Sequence, residues 1–202
     1  MPSIEFVTVE AADAAAAERF YTAAFGLGDR LRIKAADAPT NGFRGFTLSL
    51  VVSQPATVNA LVDAAAQAGA TILKPAATSL WGYGGVVQAP DGTLWTIASS
   101  SKKDTGPATK QIAAIVLQLG CEDVAASKRF YAEHGLAASK SFGGRYVEFD
   151  TGPVKLTLNK RRAIAKTAGV SPDGTGSHRL TISADTPAFT DPDGFTWEPA
   201  NT

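Results

Sequence analysis

The chain carries one plan twice, and that repeat constrains its fold more than any single segment does. Asp13 precedes an alanine-rich stretch that runs through Arg19-Phe20-Tyr21 to Gly26-Leu27. Asp123 precedes a second stretch that runs through Arg129-Phe130-Tyr131 to Gly135-Leu136. A β-prone run stands before each aspartate, Ile4 to Val9 in one copy and Ile112 to Leu119 in the other. Farther along, Pro90-Asp91-Gly92 with Trp95 is echoed by Pro192-Asp193-Gly194 with Trp197. A chain of 202 residues has room for two such units of about 100 residues each. The expected division is a first domain at 1–101, a linker at 102–110 rich in Lys, Asp, Gly, Pro and Thr, and a second domain at 111–202.

The local signals agree with this plan. Ile4 to Val9 is rich in β-branched residues and reads as a strand. Asp13 is suited to cap a helix on which Ala16, Phe20 and Ala24 share a face, and Gly26 tolerates the backbone that ends it. Val58, Leu61, Val62, Ala65 and Ala68 mark the apolar stripe of another helix, with Gly69 just past its end. Pro90-Asp91-Gly92 followed by Thr93-Leu94-Trp95-Thr96-Ile97 reads as a hairpin turn feeding a strand. A strand, a helix and further strands in each copy predict an α+β architecture, with helices on one face of curved sheets.

Charge and composition exclude several classes of function. The chain is 45% hydrophobic and 19% charged, as a packed globular protein is. Its basic and acidic side chains cancel, 19 against 19, so no field of one sign recruits a nucleic acid. The richest basic cluster, Lys160-Arg161-Arg162, reads as a solvated loop or helix end. Cys121 is the only cysteine, which excludes an internal disulfide and a cysteine-based zinc site. No apolar run approaches the roughly 20 residues that span a bilayer, and no signal peptide is legible, so a cytoplasmic protein without a membrane partner is expected.

Strand, Asp, Phe-Tyr and Gly-Leu, followed by Asp191-Pro192-Asp193-Gly194 and Trp197-Glu198, resemble the vicinal oxygen chelate superfamily of glyoxalase I, extradiol dioxygenases and bleomycin-resistance proteins. The resemblance covers nearly the whole chain and is strongest from Ile112 to Glu198. It implies tandem repeats of βαβββ modules forming two cupped half-barrel sheets, each around a pocket. Both cups are expected to be truncated. Little sequence separates Ile33 from Phe46, and only a few residues separate Ser183 from Phe189, where the family has a helix.

The resemblance also implies a divalent metal held by four side chains, two from each module of a cup. Carried onto this chain, the positions of the second half fall on Val116, Lys155, His178 and Glu198. A valine offers no lone pair, and an ammonium repels the ion. In the first half the positions fall on Phe6, on Phe46 or Thr47, and on Thr96. Neither set is complete, so no metal and no other cofactor is expected, and Lys155 is predicted to pair with Glu198 where the metal would lie.

The residues expected to line a ligand site are Lys155, His178, Glu198 and Tyr146, together with Trp81 and Tyr83, aromatics in a glycine-rich loop that can stack on a flat ligand. Each has a plainer reading: Lys155 as an outward strand lysine, His178 as a hydrogen-bonded residue beside Gly174-Thr175-Gly176-Ser177, and Glu198 as an exposed strand end. His134 reads as a helix-end histidine, and Trp95 and Trp197 as core. The leading functional reading is a metal-independent protein that binds a small aromatic molecule or antibiotic. One alternative is a metal-dependent lyase, isomerase or dioxygenase of the glyoxalase kind, with Glu148 or Gln118 completing an unusual ligand set around His178 and Glu198. A metal-free version of it would use His178 or Glu198 as general base, with Lys155 steadying an enolate-like charge. A second alternative is a non-catalytic dimerisation module, for which the partner is another copy of the chain in a homodimer.

Overall fold

A computed structural model describes residues 2–200 of the chain. Strand β1 (Ile4–Ala11) leads to helix α1 (Ala14–Ala24), and the Asp13 carboxylate starts that helix by accepting the Ala16 N–H at 2.9 Å. After a short 3-10 turn come β2 (Leu31–Ala35) and β3 (Thr40–Gly42), and there the first module stops. The second is complete: β4 (Phe46–Val51), α2 (Pro55–Gln67), β5 (Thr71–Ser79), β6 (Gly82–Gln88) and β7 (Leu94–Ser99). So is the third: β8 (Ala114–Cys121), α3 (Val124–Glu133), β9 (Ala138–Phe142), β10 (Tyr146–Phe149) and β11 (Val154–Lys160). Asp123 caps α3 as Asp13 caps α1. Then follow α4 (Arg161–Ala168), β12 (Gly174–Gly176), β13 (Leu180–Ala184), β14 (Phe189–Thr190) and β15 (Thr196–Pro199). No helix intervenes between β13 and β14, as the short interval after Ser183 implies.

The architecture is α+β, with two large open sheets. An eight-stranded sheet runs β5-β6-β7-β4-β8-β11-β10-β9, a five-stranded sheet runs β14-β15-β13-β1-β2, and β12 pairs with β3 apart from both. The larger sheet thus joins the two complete modules, and the smaller joins the two trimmed ones. Both truncations fall on the smaller sheet. Each sheet also takes strands from either side of residues 102–110. Strand β4 lies antiparallel to β8 with Ser49 opposite Val116, and β1 lies antiparallel to β13 with Thr8 opposite Thr181.

Strand alternation sends one set of side chains to the helices. Leu48, Leu50, Trp95, Ile97, Leu117, Leu119, Leu156 and Leu158 form that set in the larger sheet, and all are fully buried. The repeated Phe-Tyr and Trp motifs meet within this core. Tyr21 donates its O–H to Asp91 Oδ2 at 2.7 Å and accepts from Trp95 Nε1 at 3.3 Å. Tyr131 does the same with Asp191 Oδ2 at 2.6 Å and Trp197 Nε1 at 3.2 Å. The copies differ in one respect. Asp91 belongs to the Pro-Asp-Gly turn itself, whereas Asp191 precedes Pro192 and leaves Asp193 to accept from Ser127 Oγ at 2.8 Å. Burial raises the pKa of both tyrosines, with the neighbouring carboxylate adding to the effect, so each phenol stays a donor. Burial also pushes the Cys121 thiol up, which leaves it a small core residue and not a nucleophile.

Candidate functional site

The side chains that point away from α2 and α3 line the opposite, concave face of the larger sheet. One row crosses it at mid-strand: Thr96 lies opposite Ser49, Ser49 opposite Val116, and Val116 opposite Lys155. The adjoining row carries Thr47, Gln118, Thr157, Glu148 and Lys140. Ser49, Val51, Val116, Gln118, Tyr146 and Lys155 are among the residues lining a cleft of about 310 Å³ over these rows. Thr47 Oγ1 donates to Gln118 Oε1 at 2.8 Å, and Asn159 Nδ2 donates to Thr157 Oγ1 at 3.0 Å. Tyr146 donates to Glu148 Oε2 at 3.1 Å, and Lys140 stands 3.5 Å from the same oxygen. Partial burial, aided by Glu148, pushes the Tyr146 phenol up to about 12, so it remains protonated at neutral pH. Lys155 is half-buried, and the Lys140–Glu148 pair is the only ion pair among the described residues.

Helix α4 packs against β8, β11, β4 and β7. Its Ile164, Ala165 and Ala168 pack with Phe43, Val86 and Leu94. Arg161 fixes its start by donating to Phe43 O at 2.7 Å and Pro172 O at 2.9 Å. Lys74 fixes its end by donating to the carbonyls of Lys166 at 2.8 Å and Thr167 at 2.6 Å. The basic cluster expected as a solvated loop or helix end therefore opens a helix, and Arg161 holds backbone. Gly120 makes the close approach possible: a Cβ there would lie 2.8 Å from Gly45 O and 3.0 Å from both Arg161 Cα and Ile164 Cδ1. Gly120→Val is expected to lift α4 from the sheet. The check is amide exchange, which should accelerate at Ile164–Ala168 while β8 and β11 stay protected. Beyond α4 a second cleft of about 340 Å³ is bordered by Trp81, Gly84, Thr96, Ala98 and Thr167. Thr96 and Ser49, neighbours across β7 and β4, join the two clefts.

The structure brings together only some of the residues expected to bind a ligand. Lys155 and Tyr146 share the first cleft, and Trp81, 85% exposed at the tip of the β5–β6 hairpin, borders the second. Tyr83 contributes to the border of that cleft, but it lies opposite Ser99 on the helical face and donates to Asn59 Oδ1 of α2 at 2.9 Å. His178 precedes β13, with Nδ1 2.6 Å from Arg44 O, Nε2 3.1 Å from Asp193 O and its ring stacked on Phe195. Both nitrogens face backbone carbonyls, which is the plainer of its two readings. Glu198 is exposed on β15, opposite Ser183 in the smaller sheet. The expected Lys155–Glu198 ion pair does not form, because the two residues belong to different sheets. The reason is topological: the third module closes its sheet with the second module and not with the fourth. His134, by contrast, ends α3 as expected, stacked on Phe130 with Nδ1 2.8 Å from Phe130 O.

With the pairing corrected, the four mid-sheet positions are Thr96, Ser49, Val116 and Lys155. They supply two hydroxyls, a branched alkyl group and an ammonium. No group of three His, Cys, Asp or Glu that could hold a metal exists among the described residues. The residues present do not fit a divalent metal, which needs imidazole or carboxylate donors aimed at one point. Sequence reasoning named Val116, Lys155 and Thr96 but missed Ser49, whose place depends on the β4–β8 register. It named Gln118 and Glu148 only as substitutes, and it missed α4.

The arrangement of strands recurs in solved structures. Glyoxalase I from Zea mays superposes with a TM-score of 0.62 at 13% identity, covering 98% of this chain and 91% of that one. A putative dioxygenase from Bacillus subtilis subsp. subtilis str. 168 gives 0.60 at 11% identity, covering 96% and 83%. No family model and no curated protein matches the sequence. The chain shares the fold of these glyoxalase I and dioxygenase structures. At such identities the likeness carries the fold and nothing finer. Among the described residues no helix is long and apolar enough to cross a membrane.

Proposed function

We propose that the chain is a metal-independent small-molecule-binding protein whose site is the concave face of the larger sheet. Lys155, Tyr146, Ser49 and Gln118 contact the ligand in this reading, and Trp81 flanks it. The observation that carries it is the row Thr96–Ser49–Val116–Lys155, which keeps a cleft on the concave face but supplies no metal donors. A cavity of this size with a few convergent polar groups is the usual form of a small-ligand site. A glyoxalase-type lyase, isomerase or dioxygenase would need His178 and Glu198 to converge on the cleft, and both stand elsewhere.

Thermal unfolding in EDTA, with a panel of one- and two-ring aromatic compounds, tests this reading. A compound present at a hundred times its Kd adds about 2.7 kcal/mol to the folded state and raises Tm accordingly. Stabilisation without metal is expected. If compounds stabilise the protein only after zinc, nickel, manganese or iron is restored, the metal-dependent reading replaces this one.

A further inference from the structure

Two charged side chains line the cleft, Glu148 and Lys155. The Glu148 carboxylate is already engaged, by the Tyr146 O–H at 3.1 Å and by Lys140 at 3.5 Å. Lys155 is not. It is half-buried opposite Val116, with the Ser49 and Thr157 hydroxyls and the Gln118 amide as fellow lining groups, and it takes part in no ion pair. A cation withdrawn from bulk water and left unpaired attracts an anion more strongly than a surface lysine does, because less solvent screens it. Glu148 in the same lining opposes a second negative charge on the ligand.

The rest of the first cleft is apolar, lined by Val51, Ala114 and Val116, and the small residues Gly84 and Ala98 continue the surface into the second, where Thr96 and Thr167 add hydroxyls. Nothing projects from Gly84, where a Cβ would stand 2.9 Å from Ile97 O. Exposed aromatics stand at both hairpin ends of the sheet, Trp81 at 85% and Phe142 at 66% exposure, the latter beside Tyr146. Such rings offer faces to a flat apolar body.

We infer that the cleft selects small organic monoanions, a carboxylate on a flat apolar body, with Lys155 as the counter-charge. This rests on the reading of the cleft as the binding site. Calorimetric titration of the full chain in EDTA with 2-naphthoate and its neutral amide, 2-naphthamide, tests it. The wild type is expected to bind the carboxylate at least tenfold more tightly than the amide, with a preference that weakens as salt is added. Lys155→Met, which keeps the stem and removes the charge, is expected to bind both compounds equally at unchanged Tm. Lys155→Arg is expected to restore the preference. Equal binding of the two compounds by the wild type, or a preference that survives Lys155→Met, overturns the charge assignment and leaves the site in place. Binding of neither compound also overturns it, whereas the site itself falls only if the wider aromatic panel fails to stabilise the protein in EDTA.

Discussion

Asp191→Ala is expected to destabilise the protein by roughly 3–5 kcal/mol, among the largest effects of any single substitution. The side chain is 5% exposed and satisfies three donors at once. Its Oδ1 accepts from the Asp193 and Phe195 N–H groups at 3.0 and 2.8 Å, and its Oδ2 accepts from the Tyr131 O–H at 2.6 Å. Alanine leaves all three donors without their acceptor, those of Tyr131 and Phe195 on fully buried residues, and Trp197 loses the anchored hydroxyl to which its indole donates. Tyr131→Phe removes one of those bonds and should cost about 2 kcal/mol. The double variant should cost less than the sum, because the two groups act as one network. Urea unfolding of the three variants measures this, and an Asp191→Ala loss below about 1 kcal/mol would sink the account. The pH dependence has a defined sign. Burial raises the pKa of Asp191 in the folded state, so the native protein holds that proton more tightly than the unfolded chain. The stability of the wild type relative to Asp191→Asn should therefore grow as pH falls through the raised folded value, and that gain is lost as pH rises through it.

Separating the chain at residues 102–110 should have a still larger effect if the pieces are parted, and little if they are not. Six residue pairs join β4 to β8, from Phe46–Leu119 to Val51–Ala114, and these strands occupy the middle of the larger sheet. The smaller sheet is crossed likewise between β1 and β13, and the Ile4 N–H donates to Thr151 O at 2.7 Å. Either half alone would leave two central strands with one edge unpaired, β4 and β1 or β8 and β13. A chain cleaved at the linker should remain one particle with a single cooperative transition. Residues 1–101 or 111–202 expressed alone should lack that transition or self-associate through the open strands, and mixing them should restore it. Light scattering and chemical denaturation read the outcome. Two independently folded, monomeric halves would show that the sheets are not shared.

Much of this was legible before the strands were placed, and what was not has a common cause. Caps, stripes and turns are local, so Asp13, Asp123, the α2 stripe and the Pro-Asp-Gly hairpin need only their own neighbours. The trimming after Ile33 and after Ser183 was visible as missing length. Sheet partners are different. In a chain of similar modules, β8 presents the same alternation of side chains whether it pairs with β4 or with β13, and no nearby residue records which. Val116 and Lys155 lie opposite one another on β8 and β11, but the companions expected for them, His178 and Glu198, lie across a strand pairing that does not exist. Helix α4 was hidden for another reason. It is eight residues long, opens on Arg161-Arg162 and buries only Ile164, Ala165 and Ala168, a stripe too short to stand out. The Tyr–Asp–Trp networks explain why the motifs repeat, and they place those motifs in the core and not in the site.

The site in the larger sheet is tested most directly by mapping amide shifts of the labelled protein in EDTA as an aromatic ligand from the stabilising panel is added. Shifts should gather on Ser49, Val116, Gln118, Tyr146 and Lys155, with the rows of the smaller sheet at Phe6, Thr181 and Ser183 unmoved. Shifts that gather instead on the smaller sheet, or that appear only when a divalent metal is supplied, would overturn the assignment of a metal-independent site to this cleft.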